Sequence, residues 1–308
     1  MTESAPNTGT ARLAVSFGIK TAPQHTTYEA VRRVWREADQ EPEFAHAWLF
    51  DHFVPLSGDL DGPCLEGWTL LAALAAETSR LRIGIMVTGN TYRHPAILAN
   101  MGATVDIISS GRMDFGIGAG WNELEHDSYG IPLYPAAERI HRLAEACEAI
   151  RLLWTEPRVD FSGSYYHLRD ARCEPKPIQK PHPPFVIGGS GERLTLRVVA
   201  QYAAIWNFAG GSPQEFSRLS GILNDHCAAI GRDPATIQRS VQIRVDPAHL
   251  EVTRDQAREF IAAGSTHLIF GVSNPGLPPE VEDPYPVDIV HRLANEVIAP
   301  LREESNLG

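Results

Sequence analysis

Short apolar runs alternate with longer amphipathic stretches along most of the chain. Residues 81–87 and 113–117 form two such runs, each with the length and continuity of a strand buried on both faces. Between the two runs, Pro95 suits the first turn of a helix, apolar residues follow at helical spacing, and Gly111 is suited to end the helix. Two buried strands joined through one helix predict a parallel βαβ unit.

This alternation occurs eight times, without a repeat of residue identities. The predicted strands are residues 13–18, 47–50, 81–87, 113–117, 185–187, 204–208, 240–246 and 266–270. The predicted helices are residues 26–39, 67–78, 95–111, 136–154, 193–201, 213–230, 252–263 and 289–301. Eight strands alternating with eight helices predict a (β/α)8 barrel, the TIM-barrel fold, as a single domain over residues 11–308. The polar residues 1–10 are expected to be a disordered tail.

Two stretches interrupt the alternation. Residues 122–135 are polar and contain prolines, so we expect a long loop there. Residues 155–184 are expected to form a small insertion, with a hairpin around residues 162–164 followed by Pro-rich coil. Together with residues 53–66 and 274–286, the first stretch is expected to shape the substrate pocket.

Composition limits the classes of function. The chain has 308 residues with a formal net charge of −11, which argues against broad binding to nucleic acids or anionic membranes. Its four cysteines are widely spaced without a C-x-x-C pair, so neither a disulfide framework nor a zinc site is indicated. No H-E-x-x-H or G-x-S-x-G motif occurs, so a metal site and serine hydrolysis have no support. We expect a cytoplasmic protein that acts on small molecules, since the chain shows neither a membrane-length apolar run nor a signal peptide.

Asp51 and His52 directly follow the second predicted strand. In an α/β barrel, functional groups collect at the carboxyl ends of the strands, here called the barrel mouth. A histidine there can exchange a proton near neutral pH, and a neighbouring carboxylate can fix its tautomer. The alternative is a buried histidine with only a packing role.

A Gly-rich loop, Gly188 to Gly191, lies between the fifth strand and the next helix. Successive glycines let backbone N–H groups approach a phosphate at a helix N-terminus, although a plain turn has the same composition. Basic residues precede the loop within residues 169–182, at Arg169, Arg172, Lys176 and Lys180. This basic stretch favours a ligand with more than one negative group, or else forms a solvated surface cluster.

A second Gly-rich segment, Gly116 to Gly120, matches half of a dinucleotide fingerprint. It lacks the final glycine and the acidic residue of a Rossmann unit, so we reject NAD binding by that route. We expect Gly118 and Gly120 instead to keep the barrel mouth open for a flat ring, with Trp121 as its wall.

These residues carry a family resemblance. The run RLRIGIMVTGNTYRHPAILANMGATVDIISSGRMDFGIGAGWNELEHDSYGIP, with WLFDHF before it and PPFVIGGSGERLTLRVVAQYAAIWN after it, resembles the luciferase-like monooxygenase superfamily. The resemblance covers residues 13–207. Within the superfamily the chain looks most like the actinobacterial branch that uses the deazaflavin coenzyme F420, whereas other members use FMN.

The resemblance implies a coenzyme site at the barrel mouth. The ring would lie against a bulge in the third strand, with a non-prolyl cis peptide near Ile85–Met86, and Thr88 and Asn90 would contact it. The loop that contains Gly188, Gly189, Ser190 and Gly191 would hold the phosphate, and the basic stretch would receive the anionic tail of the coenzyme.

The resemblance also implies roles in chemistry. His52 matches the proton donor of F420-dependent sugar-phosphate dehydrogenases and would be positioned by Asp51. Those enzymes have a glutamate where this chain has Trp121, so a hydrophobic or aromatic substrate is expected, in a pocket that includes Trp121, Phe53 and Asn207.

The leading hypothesis is therefore an F420-dependent oxidoreductase, active as a homodimer without a metal. It would transfer a hydride between the deazaflavin and an activated alkene, a nitroaromatic compound or an alcohol. One alternative is a two-component monooxygenase that uses reduced FMN and oxygen. The other is a non-catalytic protein that binds a flavin or deazaflavin.

Overall fold

The structure, a computed structural model, describes residues 15–272 and 284–305. The predicted tail at residues 1–10 lies outside the described residues, as do residues 274–283 of one predicted loop. The strands are β1 (Ser16–Thr21), β2 (His46–Leu49), β3 (Arg82–Ile85), β4 (Thr88–Gly89), β5 (Met113–Gly118), β6 (Val159–Ser162), β7 (His167–Ala171), β8 (Phe185–Gly188), β9 (Ile205–Phe208), β10 (Gln238–Arg244) and β11 (His267–Val272). The α-helices are α1 (Tyr28–Gln40), α2 (Gly67–Glu77), α3 (Pro95–Ile108), α4 (Glu123–Tyr129), α5 (Ala136–Thr155), α6 (Thr195–Tyr202), α7 (Pro213–Ala229), α8 (Leu250–Ala262), α9 (Ile289–Arg292) and α10 (Ala299–Ser305). A 3₁₀ turn (Pro234–Thr236) precedes β10, and a π-helical segment (Leu293–Ile298) joins α9 to α10.

The parallel strands form a closed ring. Their order is β3-β2-β1-β11-β10-β9-β8-β5, and pairing of β3 with β5 closes it. The two-residue strand β4 continues the line of β3 and also pairs with β5. Helices connect consecutive strands of the ring, so the predicted (β/α)8 barrel is confirmed.

Most of the predicted elements appear near their predicted positions, with four corrections. The predicted last helix, residues 289–301, is divided into α9, the π-helical segment and α10. The first strand is Ser16–Thr21 rather than residues 13–18, and α6 begins at Thr195 rather than at residue 193. Residues 122–135 are not a continuous loop, because they contain α4. Acidic residues in its first turn favour the helix, and Gly130 ends it with φ 65°. A helix of seven residues is too short to show a convincing apolar period.

The predicted hairpin within the insertion is confirmed. Strands β6 and β7 pair antiparallel, and Gly163 N–H donates to the carbonyl of Tyr166 at 3.0 Å to close the turn between them. No α-helix in the described ranges is both long and apolar enough to cross a membrane.

Side chains of the ring strands alternate between the barrel interior and the surrounding helices. On β2, Trp48 belongs to the inner cluster, whereas Ala47 and Leu49 pack in the outer core with the helices. The alternation continues past the end of the strand, placing His52 on the inner side and Asp51 on the outer side. The members of the inner cluster are Trp48, Met86, Val186, Ile205 and Ile269. The side chains of the adjacent residues Asp51 and His52 therefore lie in different environments, one outside and one inside the ring of strands.

Asp39, near the end of α1, fixes the chain between α2 and β3. Its carboxylate accepts backbone N–H bonds from Ser79, Arg80 and Leu81 at 2.8, 2.9 and 2.9 Å. Burial raises the pKa of this carboxyl, but the hydrogen bonds lower it by more, so its net pKa lies below the usual value. The contribution to stability is therefore complete above the unfolded-state pKa of about 3.9 and is lost as the pH falls through the folded-state pKa.

We expect Asp39→Asn to reduce the free energy of unfolding by about 1–3 kcal/mol at neutral pH, since the amide cannot accept all of these bonds as a carboxylate does. Urea unfolding at about pH 7 and about pH 3 measures the effect. The difference between variant and wild type should shrink at the lower pH. An equal difference at both values would contradict this role for the ionised carboxylate.

Candidate active site

His52 lies at the barrel mouth with one ring nitrogen held by a carboxylate. The Nδ1 atom is 2.7 Å from Oε2 of Glu125, which lies on α4 and is fully buried. Since an ionised carboxylate only accepts hydrogen bonds, we assign the Nδ1 proton to His52. Nε2 has no hydrogen-bond partner among the described residues, which leaves that nitrogen for a ligand.

Glu125 also binds groups around the histidine. Tyr92 Oη donates to Oε2 at 2.6 Å, and the backbone N–H groups of Phe53 and Val54 donate to Oε1. Burial alone raises the pKa of Glu125, but the hydrogen bonds from His52, Tyr92 and Phe53 outweigh it and lower the net pKa. Burial and the bond to Glu125 raise the pKa of Tyr92, so its hydroxyl stays a donor. The result is an ionised carboxylate that fixes both His52 and the loop after β2.

Asp51 does not position His52, contrary to the expectation from the sequence. It faces outward, where its two oxygens accept bonds from the guanidinium of Arg93 at 2.5 and 3.0 Å and from the hydroxyl of Thr88. Arg93 also pairs with Glu66, which caps the start of α2. Asp51 therefore stabilises the scaffold behind the site.

Aromatic side chains surround His52. The ring of Trp121 is edge-on to it, with centroids 5.7 Å apart, and Trp121 is 61% exposed. Phe53 contacts the rings of Tyr92 and Tyr129, each with centroids 4.8 Å apart. Trp121 and Phe53 both lie beside His52 and present apolar surface, and their roles in a substrate pocket stay predictions.

The third strand of the ring is interrupted beside this site. The peptide bond between Met86 and Val87 is cis, and strand pairing resumes at Thr88. The predicted bulge is present, one residue after the predicted Ile85–Met86 position.

The glycines of β5 make room for this bulge. A Cβ atom on Gly116 would lie 1.7 Å from the carbonyl oxygen of Ile85, and one on Gly118 would lie 2.8 Å from a methyl group of Val87. Gly120, at φ 78°, faces Thr91 in the same way. The space that we expected to open the mouth for a ring is therefore largely filled by the chain itself.

Asn90 and Thr88 follow the bulge but differ in whether a hydrogen-bonding atom remains without a partner. Asn90 is buried, and its amide nitrogen donates to Tyr166 Oη at 3.1 Å, whereas its carbonyl oxygen has no partner among the described residues. Thr88 is fully buried and its hydroxyl is engaged by Asp51 and by Trp68 Nε1. The buried acceptor on Asn90 is suited to a ring N–H donor, such as the one on the pyrimidine part of a flavin or deazaflavin.

The loop after β8 offers backbone donors. Gly189 has φ 130°, and its N–H group is used by the carbonyl of Asn207 at 3.2 Å. The N–H groups of Ser190 and Gly191 make no hydrogen bond within the described ranges, and the first turn of α6 follows without a side-chain cap. These donors fit an anionic group, so the residues present are compatible with a phosphate-bearing coenzyme.

The later part of the basic stretch at residues 169–182 lies away from the mouth. Lys176 donates to two carbonyl oxygens at the end of α5, and Gln179 binds Asp106 and the carbonyl of Met113. Since Met113 begins β5, residues 176–179 lie at the amino-terminal end of the barrel. Lys176 is therefore not placed to receive the coenzyme tail, and that role for Arg169 and Arg172 stays a prediction.

Asn207 is less available than the sequence suggested. Its amide nitrogen donates to Ser240 Oγ at 3.2 Å, and its oxygen accepts from Gln242 Nε2 at 2.8 Å. It is buried and connects β9 to β10 through these side-chain bonds, and its place in a substrate pocket stays a prediction.

Sequence analysis missed Glu125 and Tyr92. A signal was present, since Glu123, Leu124 and Glu125 follow Asn122 as a possible first helical turn. Because residues 122–135 as a whole are polar and contain prolines, their pattern predicts a loop, and a loop does not indicate which carboxylate turns inward. In the described part of the chain, no cluster of three or more His, Cys, Asp or Glu residues is arranged to hold a metal ion.

Comparisons with known proteins agree with this architecture. The family model described as luciferase-like monooxygenase matches residues 11–305. The chain is 34% identical over 221 residues to the F420-dependent glucose-6-phosphate dehydrogenase of Kineococcus radiotolerans, covering 70% of this chain and 65% of that protein. It is 29% identical over 213 residues to the FMNH(2)-dependent dimethylsulfone monooxygenase of Pseudomonas putida, covering 67% of this chain and 56% of that protein.

A solved structure extends the similarity across the fold. The coenzyme F420 dependent tetrahydromethanopterin reductase from Methanopyrus kandleri matches with a TM-score of 0.75 at 19% identity, covering 93% of this chain and 99% of that one. At this identity the match concerns the fold alone. The family model, which spans nearly the whole chain, confirms the family expected from the sequence: the chain belongs to the luciferase-like monooxygenase family.

Proposed function

We propose that this protein is an F420-dependent oxidoreductase that acts on a small hydrophobic or aromatic substrate. The observation that carries the proposal is His52 at the barrel mouth, held through Nδ1 by Glu125 and open at Nε2 beside Trp121. The similarity to an F420-dependent dehydrogenase supports the choice of coenzyme. When bound, the deazaflavin would supply a hydride acceptor or donor.

The chain would hold the coenzyme at three places. Asn90 would accept a ring N–H, the bulge at Met86–Val87 would support the ring, and the N–H groups of Ser190 and Gly191 would bind an anionic group. His52 would exchange the accompanying proton at Nε2. Its orientation would not change during that exchange, since Glu125 holds the opposite nitrogen in either protonation state.

Glu125→Gln tests this positioning role. The amide keeps the shape of the side chain but removes the charge that stabilises a protonated His52, so we expect kcat to fall by about tenfold or more. The dissociation constant of the coenzyme should change by less than about twofold, since Glu125 contacts Nδ1 of His52 and is not among the groups proposed to hold the coenzyme. Steady-state kinetics and coenzyme titration measure the two effects.

The matched control is Glu123→Gln, an exposed residue of the same helix. It should leave both quantities unchanged. Equal losses of kcat in the two variants would indicate a general effect of charge on α4 and would contradict the positioning role.

A substrate screen tests the proposed reaction. The purified protein would be mixed without oxygen with reduced F420 and, separately, an activated alkene, a nitroaromatic compound or a ketone, and with oxidised F420 and a secondary alcohol. We expect the absorbance of the coenzyme to change with at least one substrate. Turnover of none of these classes would contradict the proposed substrate range.

The second candidate is a monooxygenase that uses reduced FMN and oxygen. It is favoured by the similarity to the FMNH(2)-dependent enzyme of Pseudomonas putida. The two candidates share the barrel and differ in their need for oxygen, so the same screen in air with a flavin reductase separates them. We further expect a homodimer in solution, which light scattering would test.

A further inference from the structure

We propose that Lys20 binds an acceptor oxygen of the substrate, such as a carbonyl, nitro or carboxylate oxygen, inside the barrel mouth. The inference rests on the proposed function for the position of the substrate. It adds a requirement to the substrate class, since an apolar body alone would leave this cation without a partner in the pocket.

Lys20 points into the barrel near the carboxyl end of β1. Lys20 lies two residues after Gly18 on the same strand, so both residues face the same side of the sheet. A Cβ atom on Gly18 would face His46 and Trp48 in the barrel interior. Its Nζ atom lies 5.9 Å from the centroid of the Phe50 ring. Phe50 also contacts His52, with the two rings edge-on and their centroids 5.2 Å apart. Lys20 and His52 thus each lie beside the same aromatic ring.

The hydrogen bond from the Lys20 side chain to Gln242 is held in place by two linked side-chain amides. Nζ donates to Gln242 Oε1 at 2.6 Å, and Gln242 Nε2 donates in turn to Asn207 Oδ1 at 2.8 Å. Because Asn207 is itself held by Ser240, the amide of Gln242 has a defined orientation with its oxygen toward Lys20. An ammonium group has three donors, so two remain unused within the described ranges.

The charge of Lys20 is not balanced locally. Within the described ranges no carboxylate lies at ion-pair distance from Nζ, and burial lowers the pKa of this lysine to about 8. The ammonium is therefore partly desolvated, with a neutral amide as its hydrogen-bond partner. An acceptor oxygen that reached it would form a charge-assisted hydrogen bond in place of lost hydration.

Binding of an unreactive probe tests the inference without turnover. Benzoate would be titrated by calorimetry into the F420-bound wild type and into Lys20→Met, which keeps most of the side-chain volume. We expect the dissociation constant of benzoate to rise by about tenfold or more in the variant. Toluene, which lacks the oxygens, should bind both proteins equally.

Arg244→Met is the matched control, since it removes one positive charge from an exposed position at the end of β10. If both variants weakened benzoate binding equally, the effect would be a general electrostatic attraction by positive charges near the barrel mouth. That result would overturn the proposal. So would failure of the wild type to bind benzoate at about 10 mM, well above the range of typical substrate affinities.

Two further measurements separate this inference from the choice of coenzyme. Lys20→Met should leave the dissociation constant of F420 unchanged, and a large loss would assign Lys20 to the coenzyme and overturn the substrate role. An NMR titration of the Lys20 side chain should show its pKa rising when benzoate binds, which a purely structural lysine would not show. A protein that binds no F420 but still shows both benzoate effects would contradict the proposed function while retaining an oxygen-binding lysine.

Discussion

Replacing His52 with asparagine is expected to lower kcat by about 10²–10⁴-fold, the usual contribution of a positioned proton donor or acceptor. Asparagine can still donate a hydrogen bond toward Glu125, so the surrounding loop should keep its fold. It cannot exchange a proton at the position of Nε2. The dissociation constant of the coenzyme should remain within about twofold, because His52 is not among the groups proposed to hold the ring. Steady-state kinetics with the substrate found in the screen, together with a coenzyme titration, measures both.

His249→Asn provides the control, since His249 is exposed and its side chain pairs, within the described residues, with nearby Glu251 alone. It should behave as the wild type. Unchanged turnover in His52→Asn would remove His52 from the mechanism, and a parallel loss of coenzyme affinity would indicate that the histidine serves binding instead.

Replacing Arg93 with methionine is expected to reduce the free energy of unfolding by about 3–5 kcal/mol, the effect of removing one partner from a buried ion pair. Asp51 is fully buried and would keep only the hydroxyl of Thr88 and nearby dipoles. Arg93 is itself only 15% exposed and connects Asp51 to Glu66 at the start of α2. Urea unfolding followed by circular dichroism measures the loss.

Arg218→Met is the comparison for this variant. Arg218 also binds two carboxylates, Glu215 and Glu192, but it is 49% exposed. Ion pairs between exposed side chains contribute little to stability, so this variant should unfold almost as the wild type does. If both arginine variants lost equal stability, the account of Asp51 as a buried scaffold residue would be wrong.

The barrel could be predicted because its signals are local and repeated. Most ring strands are short apolar runs and most helices are amphipathic or apolar stretches of ordinary length, so pattern and count agree. The proline at the start of α3 marked that boundary correctly, whereas the helix ends at Ile108, before Gly111. The inward and outward alternation of side chains along β2 could also be predicted. Continued past Leu49, that alternation predicts that Asp51 and His52 point in opposite directions.

The site could be predicted only in part. His52 and Trp121 follow strand ends, which is where barrels place functional groups, and they lie together in the structure. Glu125 was missed because its contact with His52 spans 73 positions in sequence and depends on the tilt of a helix too short to recognise. Lys176 in the basic stretch was misplaced for a related reason. Its closeness in sequence to Gly188 does not indicate at which end of the barrel the insertion rejoins the strands.

Selective binding of the deazaflavin is the central claim, and titration of the purified apo-protein with coenzyme F420 and with FMN tests it most directly. Fluorescence quenching gives both dissociation constants under the same conditions. Our account predicts F420 binding in the low micromolar range, about 1–10 μM, with FMN at least about tenfold weaker. Tighter binding of FMN would contradict the deazaflavin assignment and favour the oxygen-using monooxygenase, and binding of neither would contradict both enzymatic proposals.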